Sequence, residues 1–504
     1  MPSYTNPGVY VSESTQVSQT QQGNTTRSAA AFFGEALRGP TTATFVDSWA
    51  SYKALFGELN QSYELGFAVY HYFANGGKEA YINRVLASNA VKATSTVPYF
   101  PNGTGSASAA LFTATAISAG TWGNGLTFEV SAGSVTATAT VIPTFNLIIK
   151  LDGAEVERWN EVSVKPSDNR YLVAVLNNYS KFVTVAVPSI SANALWAWYT
   201  VAATSGSGAN GTAVADSDYV DALTKIDTVE GVLLLNAVGK TSNTVINAFL
   251  NKAETRGNSF VIIDPDASQT DHTTIGGTVV GSYNSSSYGA VYYPALKMVD
   301  PSKSGPGAIR TTYPGGAIAG AYIRNEIART VAKAPAGSNV EVRNALGLLT
   351  QFTESQTGTL YNTYNVNMLK AIPGGGIIIN GARTLTKSAP DKFIPIRRSL
   401  NFLKQAMKDV TSFAVFEPND ERLWNRLNMV TSSLLSEFWR AGGLKGANAD
   451  QAYYIVCDST NNTATTINNG EVHIEVGVAL QYPAEYVVIN ISQWTGGSNT
   501  VETL

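Results

Sequence analysis

The sequence predicts an α/β and α+β multidomain chain with an inserted mostly-β domain and extended strand arms at its N- and C-terminal ends. Three observations predict it. Apolar, strand-like runs alternate with helical patterns at 29–90 and again from 216 onward, and strand–helix–strand order points to a partly parallel sheet. Between those blocks charge almost vanishes: from Ala93 to Ile149 the only charged residue is Glu129, and from Phe182 to Ala215 there is none. A polar, unpatterned opening precedes the first globular signal. A chain of 504 residues exceeds one ordinary core. The expected units are an arm at 1–28, a middle α/β domain at 29–90 plus 216–365, the insertion at 91–215, and a C-terminal domain at 366–504.

Taken in order, Gly8, Val9, Tyr10 and Val11 make one short strand. The polar run after it has neither helical nor strand period and cannot repay its ordering entropy alone. A strand is expected at 29–33. Val46-Asp47-Ser48 then caps a helix carrying Trp49, Tyr52 and Leu55 and stopped at Gly57. A second helix carries Leu65, Ala68, Val69 and Tyr72 and ends at Asn75-Gly76-Gly77, before a strand at 79–86. In the insertion, alternation of the kind seen in SVTATATVI reads as strand. From 216 the pattern is helix 219–226, buried strand 232–237, helix 241–252, buried strand 260–263 and helix 318–330.

The best-marked block, 396–446, reads helix, strand, helix. Leu400, Leu403, Met407 and Val410 recur at helical steps, and 411–416 is an apolar, aromatic run suited to a strand. Asn419 or Asp420 caps the second helix, striped by Leu423, Leu427, Val430, Leu434 and Phe438 and stopped at Gly442-Gly443. Strands follow at 452–456, at 471–478 with Val472, Ile474 and Val476 on one face, and at 486–493 with Val487, Ile489 and Ile491.

Composition narrows the chemistry. Only 14% of residues are charged while 44% are hydrophobic, which is not the disordered signature. A net charge of −3 argues against general nucleic-acid binding. The start lacks a signal-peptide pattern and no apolar run is long enough for a bilayer, so a soluble chain is expected. Cys457 is the single cysteine, and His71, His272 and His473 have no ligand partner at helical spacing. The alternative reading is a P-loop-like nucleotide-dependent motor, because Gly239-Lys240-Thr241 lies between a buried strand and a helix and 261–264 ends in an acid. The phosphate loop, however, needs glycine at 234, where Leu234 stands. Gly206, Gly208 and Gly211 spell a dinucleotide loop but lead into more loop. No catalytic, cofactor-binding or metal residue is assigned, and no cofactor. The block 396–446 holds eight Lys/Arg against five Asp/Glu. Arg397, Asn401, Lys404 and Lys408 share one side of its first helix, and Arg422 and Arg426 stand four apart on the second. That is either a solvated helix face or a positive stripe for an acidic partner.

Several stretches together resemble one family, the contractile tail sheath proteins of phages and phage-like injection machines. They are Pro7-Gly8-Val9-Tyr10-Val11, the block 46–57, Phe73-Ala74-Asn75-Gly76-Gly77 with Ala80-Tyr81 and Arg84-Val85, and the block 317–322. Lys333-Ala334-Pro335-Ala336, Val366-Asn367 and Gly381-Ala382-Arg383-Thr384-Leu385 continue the series. Ile396-Arg397-Arg398, Phe416-Glu417-Pro418-Asn419-Asp420, Leu423-Trp424 and Tyr482-Pro483-Ala484-Glu485-Tyr486 complete it. The resemblance covers most of the chain outside 91–215. It implies a sheath-type core and a non-enzymatic subunit of a virion tail or injection-device sheath, made in the host cytoplasm. Hexameric rings would stack around a tail tube and contract without nucleotide, driving the tube through the target envelope. Implied partners are other copies, the tail tube protein, and baseplate and tail terminator proteins, with no direct nucleic acid and no membrane insertion. The C-terminal domain would form the inner wall, where the two arms of neighbouring copies join one sheet. Arg397, Lys404, Lys408, Arg422, Arg426, Arg440 and Lys445 are then the candidate tube-facing residues.

Overall fold

The computed structural model describes residues 28–101, 109–135, 142–188, 196–197, 201–305, 307–388 and 390–486. Nine strands form the main sheet, in the order Glu341–Val342, Ile377–Asn380, Asn367–Ala371, Gly289–Tyr293, Ser259–Ile263, Val232–Ala237, Ser28–Gly34, Ala80–Arg84 and Thr44–Val46. The six from Asn367–Ala371 to Ala80–Arg84 run parallel, with antiparallel strands at both edges. Every residue of Ser28–Gly34, Val232–Ala237, Ser259–Ile263 and Gly289–Tyr293 is buried. Helices on both faces explain why such strands read as continuous apolar runs rather than alternating ones.

On one face Phe32, Leu234, Ile262 and Tyr292 meet Tyr52, Val69 and Ile318 from the helices Trp49–Phe56, Glu64–Ala74 and Gly315–Ala328. On the other, Phe33, Leu235 and Val261 meet Phe249, Tyr219 and Leu360 from Asn243–Arg256, Asp216–Ala222 and Glu354–Tyr364. Two of these helices nearly touch. A Cβ at Gly316 would stand 2.1 Å from the Ala68 carbonyl oxygen, and one at Gly320 would stand 2.3 Å from that of Tyr72. The four-residue glycine spacing therefore sets the distance between Gly315–Ala328 and Glu64–Ala74.

Between Ala80–Arg84 and Asp216–Ala222 the chain builds two four-stranded sheets that share a core containing Phe112, Phe128 and Leu147. Arg84, buried, ties this unit to the main sheet. Its Nε donates to the Ala36 carbonyl at 3.0 Å and its Nη1 to that of Ala119 at 2.9 Å. The C-terminal unit comprises the helices Ile394–Thr411 and Glu421–Arg440 and the antiparallel strands Tyr453–Val456 and Glu475–Val478. Leu403, Leu435, Phe438 and Leu444 form its core, and Leu423, Trp424 and Leu427 form a smaller one.

Candidate assembly interface

The helix Ile394–Thr411 has Pro395 in its first turn, where a missing N–H costs nothing. Its first half is buried on most sides. Asn401 Nδ2 donates to the Ser259 carbonyl at 2.9 Å, and Asn258 Nδ2 to Gln405 Oε1 at 2.9 Å. These polar side chains close the turn that leads into Ser259–Ile263. Arg397 is buried, its Nη2 2.7 Å from Asp391 Oδ1 and its guanidinium 4.5 Å from the Tyr288 ring centre. The expected single polar face is corrected accordingly. Arg397 and Asn401 turn into the body, and only Lys404 and Lys408 reach solvent. Helical spacing puts residues on one side, but that side is covered by the sheet at one end of this helix and free at the other.

The expected strand at 411–416 is also corrected. The helix runs to Thr411, a 3-10 turn Ser412–Ala414 follows, and Phe416 takes a φ of +67° and stands fully exposed. An apolar run becomes a strand only where a neighbour takes its backbone groups, and among the described residues no strand pairs with this one. Asp420 caps the second helix, accepting from the Arg422 and Leu423 amides at 3.0 Å each. Its buried stripe runs through Leu423, Trp424, Leu427, Thr431, Leu435 and Phe438, leaving Val430 and Leu434 half-buried. Arg422, Arg426, Arg440 and Lys445 are exposed.

The two C-terminal strands form a sheet of their own, and among the described residues no further strand pairs with either. Val476 lies in Glu475–Val478 against the Leu403–Phe438 core. Val472 and Ile474 precede that strand and pack beside Leu423 and Trp424. The strand expected at 471–478 is shorter because Asn462 takes the backbone of His473 on both sides. Its Oδ1 accepts from the His473 amide at 2.7 Å and its Nδ2 donates to the His473 carbonyl at 2.9 Å. Gly8, Val9, Tyr10, Val11, Val487, Ile489 and Ile491 lie outside the described residues.

Two buried ion pairs were missed by sequence reasoning, one beside Ser28 and one at Glu485. At Ser28, Glu326 Oε1 accepts from the Ser28 hydroxyl at 3.0 Å and from its amide at 3.3 Å. Arg398 Nη2 donates to Glu326 Oε2 at 2.6 Å and to Ser28 Oγ at 3.2 Å, beside the Tyr322 ring. In the second pair Arg383 grips Glu485 with Nε at 2.8 Å and Nη2 at 2.6 Å. Arg383 Nη1 donates to the Tyr361 carbonyl at 3.0 Å, and the guanidinium stacks 3.9 Å from the Tyr361 ring centre. Asn367 fixes the Arg383 backbone, accepting from its amide at 2.8 Å and donating to its carbonyl at 2.7 Å. Burial alone would raise the Glu485 pKa, but hydrogen bonds from Arg383 and Tyr361 and the Arg383 charge hold it below the ordinary value. Three sequence motifs thus meet: Val366-Asn367, the stretch 381–385 and the stretch 482–486. Their presence was readable, but their contact, across more than a hundred residues, was not.

The loop at Gly239 is occupied by the chain itself. Asp264 Oδ2 accepts from the Gly239 amide at 3.0 Å, and its Oδ1 accepts from the Gly315 amide at 2.7 Å. Burial pushes the Asp264 pKa up to about 6. Lys240 Nζ lies 4.8 Å from the Tyr219 ring centre. Among the described residues no group of three or more His, Cys, Asp or Glu is arranged to hold a metal ion, and no helix is long and apolar enough to cross a membrane.

Residues 212–385 match the phage tail sheath protein central domain, and residues 386–493 match the phage tail sheath C-terminal domain. The chain belongs to the phage tail sheath family. It is 26% identical over 185 residues to the tail sheath protein of Enterobacteria phage T4, covering 36% of this chain and 27% of that one. It is also 26% identical over 159 residues to the tail sheath protein of Vibrio phage KVP40, covering 31% of this chain and 22% of that one. The alignments thus span about a quarter of these relatives' length. The fold is similar to the sheath of an extracellular contractile injection system in its contracted state, with a TM-score of 0.60 at 19% identity over 98% of this chain and 99% of that one. A sheath tail protein from Listeria innocua gives 0.61 at 12% identity over 90% and 95%.

Proposed function

We propose that the chain is the subunit of a contractile tail or injection-device sheath, assembled in the host cytoplasm as stacked hexameric rings around a tail tube. Contraction from a metastable extended state drives the tube through the target envelope without nucleotide or catalysis. The middle unit, 29–90 with 216–365, carries the insertion 91–215, and 366–504 forms the inner wall. What supports this is the sheet of Tyr453–Val456 with Glu475–Val478, which among the described residues pairs with no further strand, together with the exposed basic side chains of the helix pair it packs on. A sheet of two strands is marginal by itself and its open edges are templates for strand addition. The arm at Gly8–Val11 and the strand with Val487, Ile489 and Ile491 would be added there by neighbouring copies. Lys404, Lys408, Arg422, Arg426, Arg440 and Lys445 would face the tube; Arg397 leaves the set because it is buried. Baseplate and tail terminator proteins would bind the two ends of the stack. The Gly239 loop supports a non-motor reading, since Asp264 already takes an amide that a phosphate would need.

Negative-stain microscopy of the purified chain without ATP tests this. Tubes are expected, and deletion of residues 1–14 is expected to abolish them while leaving a folded monomer. Nucleotide-dependent tubes, or tubes unaffected by the deletion, would overturn the reading.

A further inference from the structure

We propose that one copy of the chain engages the next by a prong and a socket. The prong is Phe416, at the tip of the turn between the helices Ile394–Thr411 and Glu421–Arg440. The socket is a cleft on a second copy, between Ala441-Gly442 and the stretch 329–382. This rests on the assembly reading above and goes beyond it, since it assigns a contact to side chains of the folded body.

The turn is strained and exposed at the same residue. The Glu417 amide donates to the Ala414 carbonyl at 3.2 Å, Val415 has φ −68° and ψ 125°, and Phe416 has φ +67°. These are the angles of a type II turn, and Phe416 holds the position that glycine ordinarily takes. Phe416 is fully exposed, and Val415 beside it is 67% exposed. A bulky residue in left-handed backbone costs free energy, and a ring wholly in water offsets none of it by burial. The base of the turn, by contrast, is fixed. Phe413 and Ala414 pack beside Leu423 and Trp424, and the Arg426 guanidinium lies 4.1 Å from the Phe413 ring centre. Asn419 Oδ1 accepts from Trp424 Nε1 at 2.9 Å. An aromatic ring is thus held outward on a rigid mount, which is how interface anchors are built.

The cleft has the matching chemistry. Its volume is about 1060 Å³, and Leu348, Phe352 and Met368 contribute apolar lining. Arg329, Lys333 and Lys370 line it with exposed side chains. Of its two acids, Glu485 is taken by Arg383, which leaves three cations against Glu354. The turn offers the reverse: Val415 and Phe416, then Glu417, Asp420 and Glu421, all three acids exposed. Ligand clefts commonly span roughly 300–1,000 Å³, so this one has room for the turn and not only for one ring. Apolar tip meets apolar lining, and acid meets base around it.

Prong and cleft lie at opposite ends of Glu421–Arg440, whose 20 residues span about 30 Å. A copy therefore cannot fill its own cleft with its own prong, and the contact runs head to tail. Contacts of that kind close into rings or continue as helices.

The test uses the full chain. Phe416→Asn removes the ring and suits left-handed backbone better, so the melting temperature of the unassembled chain should hold or rise. The concentration needed for tubes should rise about tenfold, equivalent to about 1.4 kcal/mol. Lys333→Glu combined with Lys370→Glu should raise it as well. p-Benzoylphenylalanine in place of Phe416 locates the partner surface: on irradiation of assembled tubes it should link to peptides within 329–371 of a second copy. Links to another surface, no links within tubes, or a lowered melt with unchanged tubes in Phe416→Asn would overturn the contact and leave the assembly reading standing. A parent chain that forms no tubes overturns both.

Discussion

The main sheet and the C-terminal unit draw on similar residues and differ in what they leave open. In the main sheet four adjacent strands are buried along their whole length, helices cover both faces, and antiparallel strands finish the edges. In the C-terminal unit a helix pair buries one side over a small core, keeps six basic side chains in solvent, and carries, among the described residues, a sheet of two strands. The first region is covered on both faces, and the second keeps one charged face in water.

The largest loss is expected at the helix contact in the main body. Gly320→Leu is expected to cost more than about 4 kcal/mol, because a side chain must enter where even a Cβ meets the Tyr72 backbone at 2.3 Å. Loss of soluble expression and of the main thermal transition would show it. In the C-terminal unit, Leu435→Ala empties a fully buried site and should cost about 3 kcal/mol. If the two regions are separable, the loss appears as an early, second transition with quickened exchange confined to the C-terminal helices. A single lowered transition would mean they melt as one.

Acid should move the two regions in opposite directions. Asp264, in the main body, has its pKa raised from 3.8 to about 6 by burial. Its contribution is fully present below about pH 4 and is lost as pH rises through about 6, on the order of 3 kcal/mol. Asp264→Asn should flatten that part of the stability–pH curve. Glu485 has its pKa lowered from 4.5, so its contribution holds above that value and is lost as pH falls below it. Exchange at 481–486 should therefore quicken in acid while the main sheet does not weaken through Asp264. The smallest effect is local: Asp420→Ala should cost about 1 kcal/mol, read as a lower C-terminal transition.

Much of this was legible beforehand. The buried strands at 232–237 and 260–263, a cap within 46–48, a cap at Asn419 or Asp420, and the order of family motifs were all written in local pattern; the fold picks Ser48 and Asp420. The misreadings share one cause. Among the described residues the run 411–416 has strand composition but no strand to pair with, and 471–474 has strand alternation, but the His473 backbone is taken by Asn462. Arg397 has helix-surface spacing but lies under Tyr288.

Period and propensity belong to neighbours along the chain, so the sequence by itself determined the helices, the buried parallel strands, the charge-poor insertion and the family. Which charges face water, and which partners they grip, depend on residues far apart. Asn367, Arg383 and Glu485 are spread over more than a hundred positions, and Ser28, Glu326 and Arg398 over more than three hundred. No local pattern encodes a distance of 2.6 Å between side chains that only the folded sheet brings together. The tertiary structure alone therefore decided that Arg397 is buried, that Lys404 and Lys408 are exposed, and that Arg398 meets Glu326 and Arg383 meets Glu485.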